Sequence, residues 1–179
     1  MPDFVLPDSM ALKPLRRPSV TDAEFRSAMS GLASSVHVVS ARRGTERVGR
    51  TATSVMSLSA QPPALLISID IISRLADIIA RTEGFSVALL ASDQSAVADA
   101  FAGSVPTEER FDVGTWDAWP SGQPLLVGAV SVFDCEVIGA METGTHVLFA
   151  GAIVDVQTQA QRAPLIWHRR GYRELSAID

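Results

Sequence analysis

GRTATSVMSLSAQPPALLISID, running from Gly49 to Asp70, is the stretch on which the reading of this chain turns. Its first half is small and hydroxyl-bearing: Thr51, Ala52, Thr53 and Ser54, then Ser57 and Ser59. After the Pro62-Pro63 corner, Ala64 to Asp70 is an apolar run of strand length. A hairpin with one face in a core alternates apolar and polar residues along both arms. Here the first arm instead leaves backbone amides and hydroxyls uncovered by bulk. Small side chains let a ligand approach, and N–H and O–H donors can hold a phosphate and the edge of a ring. The stretch therefore points to a planar, phosphate-bearing ligand, with an ordinary Ser/Thr-rich exposed strand as the alternative.

Around this stretch the composition is that of an ordinary folded protein. The chain has 179 residues, 47% hydrophobic and 20% charged, enough for one domain with a substantial core. A net charge of −5 without a basic stripe argues against a nucleic-acid partner. Cys135 is the only cysteine, so no internal disulfide framework and no cysteine metal site is expected. No apolar run reaches membrane-spanning length and the N-terminus lacks the apolar segment of a signal peptide. The expectation is a cytoplasmic protein with neither a membrane nor a metal partner.

Residues 1–20 hold Pro2, Pro7, Pro14 and Pro18 and read as an irregular arm, disordered or draped over a partner subunit. One domain is expected over 21–175. Thr21 and Glu24 have capping-box spacing, and Phe25, Ala28, Met29 and Leu32 should give the following helix one buried face. Ser35 to Ala41 is a strand; His37 within it has no second histidine at ligand spacing and is assigned no chemistry. Ser73 caps a helix to Glu83, stopped by Gly84, with Leu75, Ile78 and Ile79 inward. Its free amides and Arg74 point to the end of the preceding strand, where a phosphate would be favoured. Phe85 to Leu90 is a strand, Ser92 or Asp93 caps a helix from Ser95 to Phe101, and Gly103 ends it. Ser104 to Gly122, with Trp116 and Trp119, reads as a long loop covering a site. Long strands follow over Ala129–Met141 and His146–Gln157, then a short segment from Pro164 to Tyr172.

Six or seven strands punctuated by short helices predict a mainly β fold, a β-barrel with helical caps. Neither GxGxxG nor GxxxxGK[ST] is present, nor G-x-S-x-G, nor HExxH.

Several pieces, in one collinear order over about residues 22–175, resemble the flavin reductase family. They are Phe25-Arg26-Ser27-Ala28-Met29, Val36 to Ser40, Gly49-Arg50-Thr51-Ala52-Thr53-Ser54, Ser57, the Pro62-Pro63 corner and Ser73-Arg74. The series continues with Phe101-Ala102-Gly103, Glu109-Arg110-Phe111, Phe133-Asp134-Cys135, Gly144-Thr145-His146 and His168-Arg169-Arg170-Gly171-Tyr172. This family supplies the small reductase components of two-component flavin monooxygenases, and the reductases of 4-hydroxyphenylacetate hydroxylation and pyrimidine utilisation are most alike.

The resemblance implies a six- or seven-stranded antiparallel split β-barrel that binds FMN, with FAD possible, and takes NADH or NADPH as reductant. Reduced flavin would pass to a separate oxygenase component; a corrin-cobalt acceptor, or flavin binding without turnover, are the alternatives. It implies a homodimer with flavin at the subunit interface. On the same basis Thr51, Ala52, Thr53 and Ser54 hold the ribityl chain and ring edge, and Ser57 and Leu58 lie along the ring. Ser68, Ile69 and Asp70 pass beneath it, Ser73 and Arg74 take the phosphate, and Phe101 and Gly103 cover the distal part. His146 is the catalytic candidate, facing the nicotinamide with His168, Arg169 and Tyr172. Ala88 and Ile71 depart from the family, where asparagine and a basic or polar residue are common, which weakens expected polar contacts to the flavin.

Overall fold

The computed structural model describes residues 13–175. The expected N-terminal arm thus lies outside the described residues over 1–12, while 13–20 are exposed and carry neither helix nor strand. Helix α1 (Asp22–Met29) opens on the expected capping box: Thr21 Oγ1 accepts from the Glu24 amide at 3.3 Å, and the Glu24 carboxylate accepts from the Thr21 amide at 2.8 Å. Its apolar face, expected to be buried, is not. Phe25, Met29 and Leu32 are 54%, 47% and 58% exposed. Capping and periodicity form the helix locally, but they do not say what it lies against.

The chain continues through β1 (Ser34–Ser35), β2 (His37–Arg43), β3 (Glu46–Ala52), β4 (Val55–Ala60), β5 (Pro63–Asp70), α2 (Arg74–Thr82) and β6 (Gly84–Leu89). Then come α3 (Ser95–Asp99), β7 (Trp116–Ala118), β8 (Pro124–Leu126), β9 (Ser131–Glu142), β10 (His146–Thr158), β11 (Ile166–His168) and β12 (Gly171–Arg173). Seven strands form one antiparallel sheet in the order β3-β2-β6-β9-β10-β5-β4. The mainly β, antiparallel architecture with short helices is the expected one.

The outer strands β3 and β4 do not pair with each other, so the sheet is not closed there. Yet only Thr53 and Ser54 separate them in sequence. Laid flat, six inter-strand gaps would hold the edges about 29 Å apart. Three Cα steps span at most about 11 Å. The sheet must therefore curl until its edges approach, and the Ser68 amide, donating to Ser54 O at 3.2 Å, anchors the crossing. The quoted stretch is accordingly not one hairpin. Gly49 to Ala52 ends β3, whose partner is β2, with Arg50 opposite Val39 and Ala52 opposite His37; only β4 and β5 form the hairpin.

Two apolar clusters lie on opposite faces of β2 and β6. The first, inside the curl, is mostly aliphatic: Val39, Ile67, Ile69, Ile78 and Ile79 with Phe85 and Phe149. Gly151 is required there, since a Cβ would stand 2.4 Å from Phe85 Cζ. The second contains Val36, Val38, Ala88, Phe101, Phe111 and Trp119. In it Phe101, Phe111 and Trp116 pack with ring centroids 4.8–5.2 Å apart, and Trp119 Nε1 donates to Ser86 Oγ at 3.2 Å.

Three local expectations are corrected. Glu83, in the left-handed region at φ 53°, caps α2, and Gly84 already belongs to β6. Neither Ser92 nor Asp93 caps α3: the position is Gln94, which makes no side-chain cap, while Asp93 pairs with Arg162. The helix runs on through a π turn over Ala100–Ser104, broken at Gly103 with φ 114°. The supposed loop from Ser104 to Gly122 contains a 3-10 turn (Thr107–Asp112) and β7, and its Phe111 and Trp119 are core residues. Aromatic residues at irregular spacing carry no periodic signal, so their burial was invisible before the fold was known.

Candidate functional site

Two cavities meet along Arg50–Thr53, where β3 runs out toward the crossing. The first, about 320 Å³, lies between Arg50–Ser54 and Ser68–Asp70, with Ser73 and His146 at its rim. The second, about 340 Å³, is walled by Val36, Phe101, Ala102, Trp167 and Tyr172, with Asp99 beside them. Each is large enough for a small planar ligand.

The strand end is held in place from behind. Thr51 Oγ1 donates to Ala98 O at 2.6 Å, tying β3 to α3. Gly49 lets the Phe101 ring lie directly on the strand: a Cβ would be 2.6 Å from Phe101 Cε1. Arg110 Nη1 donates to Gly49 O at 3.3 Å. Small residues in this stretch thus serve two purposes, close packing behind and open backbone in front.

Several of the expected ligand-holding hydroxyls are already engaged within the protein. Ser54 Oγ donates to Ser68 O at 3.1 Å. Ser73 Oγ donates to Asp70 O at 2.7 Å and accepts from the Ala76 amide at 3.2 Å. One Asp70 carboxylate oxygen accepts from the Ile72 amide at 3.0 Å. What the first cavity offers a ligand is therefore chiefly backbone, Arg50, Thr53, Ser68 and the imidazole.

His146 opens β10 opposite Asp70 and is exposed, with Nδ1 2.9 Å from Thr145 Oγ1. On the other side, Tyr172 donates its hydroxyl to Asp99 Oδ1 at 2.6 Å, and its ring meets Trp167 edge-on at 5.1 Å. Burial and the Asp99 carboxylate hold the Tyr172 phenol above its ordinary range, so it remains a donor. Cys135 is buried and its thiol is pushed up to about 12 by desolvation, which removes it as a nucleophile. Among the described residues no group of three or more His, Cys, Asp or Glu is placed to hold a metal.

The structure thus brings together Thr51 to Ser54, Ser68 to Asp70, Ser73 and His146, and separately Phe101 with Tyr172. It does not bring Ser57 and Leu58 into either cavity; both are exposed on β4. Gly103, His168 and Arg169 also lie outside the linings, and the Arg169 amide instead donates to Ser30 O at 2.8 Å. Arg74 lies outside as well, gripped by Glu46 at 2.8 and 2.5 Å and paired with Asp77. Sequence reasoning missed Asp99, Trp167 and Arg50. Arg50 was in plain view within GRTATS, but nothing local distinguishes it from an exposed arginine.

The family described as "Flavin reductase like domain" matches residues 29–176. A protein named FMN reductase (NADH) RutF from Methylorubrum extorquens is 36% identical over 156 residues, covering 87% of this chain and 76% of that protein. The Streptomyces globisporus C-1027 NADH:FAD oxidoreductase SgcE6, solved in complex with NAD and FAD fragments, superposes with a TM-score of 0.80 at 26% identity, covering 89% of this chain and 98% of the other. BorF, the flavin reductase component of a bacterial two-component tryptophan halogenase, gives 0.80 at 28% identity, covering 88% and 100%.

Proposed function

Because this chain belongs to the flavin reductase like domain family, we propose that it is an NAD(P)H-dependent flavin reductase, reducing FMN or FAD and supplying reduced flavin to a separate oxygenase component. The observation that carries the reading is the pair of cavities meeting on one small-residue strand end, with His146 at one rim. The residues present fit a flavin: Ala52 and Thr53 leave backbone open to a ring edge, and no bulky side chain fills the space in front of them. Hydride transfer from nicotinamide C4 to flavin N5 is chemistry that the two cofactors supply. The protein's part is to hold the rings at reactive distance. Thr53, Ser68 and the strand-end backbone orient the flavin, His146 offers an imidazole nitrogen to the nicotinamide amide or ribose, and Phe101 with Tyr172 excludes water from the second cavity. Ser57, Leu58, Gly103, Arg74, His168 and Arg169 lie off both cavities in the single chain.

A homodimer fits the surface. Phe25, Met29, Met56, Leu58, Ile138, Val154 and Val156 are exposed apolar side chains, and an apolar cleft of about 390 Å³ runs beside the first cavity along Thr53–Met56 and Leu66–Ser68. Apolar surface of this kind is ordinarily covered. Among the described residues no helix is long and apolar enough to cross a membrane, and an enzyme drawing on NAD(P)H works where that coenzyme is held, in the cytoplasm.

Anaerobic oxidation of NADH and NADPH with FMN, FAD or riboflavin in molar excess tests the reading. Catalytic bleaching of the excess flavin supports it; flavin binding without bleaching by either coenzyme removes the enzymatic part. Within a working enzyme, His146→Ala should raise the KM for the nicotinamide about tenfold and that for flavin much less. Equal constants for variant and parent would strip His146 of its role.

A further inference from the structure

Resting on the flavin reductase reading, we propose that Arg50 is the phosphate-binding cation of this groove, and that it takes the pyrophosphate of a dinucleotide lying across both cavities. Sequence alone gives that task to Arg74. The structure surrounds Arg74 with opposite charge. Its guanidinium donates to both Glu46 oxygens, at 2.8 and 2.5 Å, and to Asp77, which Arg81 also holds at 2.6 Å. Arg74 and Arg81 are matched directly there by the Glu46 and Asp77 carboxylates. A phosphate arriving there would have to displace a bidentate carboxylate, the geometry in which arginine binds most firmly.

Arg50 is in the opposite condition. It is exposed, and among the described residues its side chain has no ion-pair or hydrogen-bond partner. It also lines both cavities, which only Arg50 to Thr53 do. An uncommitted guanidinium at the junction of two concave sites attracts an anion with five donors in a fixed fork.

The two cavities differ in a way that says what joins them. The second, with Trp167 and Tyr172 accessible and the buried Phe101 behind the strand, presents aromatic surface suited to packing against a planar ring. The first, with open backbone, Ser68 and His146, presents polar groups suited to a ring edge. A molecule with a ring in each must carry its linker past Arg50. In a dinucleotide that linker is a pyrophosphate with two negative charges. A mononucleotide fills one cavity and leaves the other empty. The Asp99 carboxylate, the acid of the second cavity, is turned to Tyr172 and does not pair with Arg50. FAD and NAD(P)H share this chemistry, and the experiment separates them.

The full-length protein, with Arg50→Met, Arg50→Lys and Arg74→Met, is titrated with FAD, NADH, FMN and riboflavin by fluorescence, folding being checked by circular dichroism. Arg50→Met should weaken one dinucleotide about tenfold or more while moving riboflavin less than about twofold, and Arg50→Lys should fall between. The dinucleotide that loses affinity is the one that spans the groove. Its deficit should shrink as sodium chloride rises from about 50 to about 500 mM, because the lost interaction is ionic. The proposal is overturned if riboflavin weakens as much as the dinucleotides, or if neither dinucleotide weakens. It is equally overturned if Arg74→Met alone reproduces the selective loss. Binding requires no turnover, so a protein that binds FAD through Arg50 yet never reduces it would sink the reductase reading and leave this one standing.

Discussion

The two apolar clusters divide the molecule by task. Inside the curl, aliphatic side chains alternate along β2, β5 and β6 and pack against α2. On the other face of β2 and β6, Val97 and Ala98 of α3 join aromatic residues from the π turn, the 3-10 turn and β7 in the second cluster. The first cluster holds the sheet; the second holds Phe101 against Gly49 and so positions the strand end that both cavities share. A regular pattern builds the scaffold, and irregular aromatic packing shapes the site on it. The contrast is one between stability and geometry, and it can be broken by substitution on either side.

The largest effect should come from the scaffold. Phe85→Ala empties a fully buried site and should cost about 3–5 kcal/mol in urea unfolding. If it instead left stability intact but abolished flavin binding, the division would be wrong.

His37, on the strand that separates the clusters, should give the next effect. It is 7% exposed, and its Nδ1 has no hydrogen-bond partner among the described residues. Desolvation lowers its pKa from 6.5 to about 4, against smaller opposing contributions from the Ala52 and Ser35 backbone. Between those values the unfolded chain binds the proton and the folded chain does not. Stability is therefore fully present above pH about 6.5 and declines as pH falls toward about 4, by up to about 3 kcal/mol. His37→Gln should flatten that window in a pH series of denaturant midpoints; an unchanged slope would assign the decline to other groups.

Gly49→Ala probes the second cluster where it touches the site. The new methyl must displace the Phe101 ring, 2.6 Å away, or lift β3 from it. A cost of about 1–3 kcal/mol is expected, together with a flavin KM raised more than by any scaffold variant of equal stability. A stability loss without that KM change would show that Phe101 does not shape the groove. Smallest should be Trp119→Phe, which keeps most of the buried ring but removes the donor to Ser86 Oγ. About 1 kcal/mol is expected, with flavin constants unchanged; a larger loss would mean that indole volume, not the hydrogen bond, is what the site needs.

Much of the scaffold was legible. The capping box at Thr21, the Ser73 cap, the inward face of α2 and the long strands β9 and β10 all follow from residues three, four or two apart. So did the open hydroxyl-and-backbone patch at Thr51 to Ser54, because small side chains are small wherever they lie. The buried face wrongly given to α1, the loop that proved to be half of a core, and the single hairpin that proved to be two sheet edges share one cause. Each depends on a partner that periodicity does not name.

The sequence by itself determined a mainly β chain with a small-residue strand end fit for a planar, phosphate-bearing ligand, and its family, because local spacing and ordered motifs are properties of neighbouring residues. Tertiary structure alone decided which groups at that strand end are free to bind. Arg74 is neutralised by Glu46, Gly49 O is claimed by Arg110, and Tyr172 is fastened to Asp99, across 28, 61 and 73 positions of chain. Electrostatic commitment acts through space over a few ångströms, and only folding sets those distances.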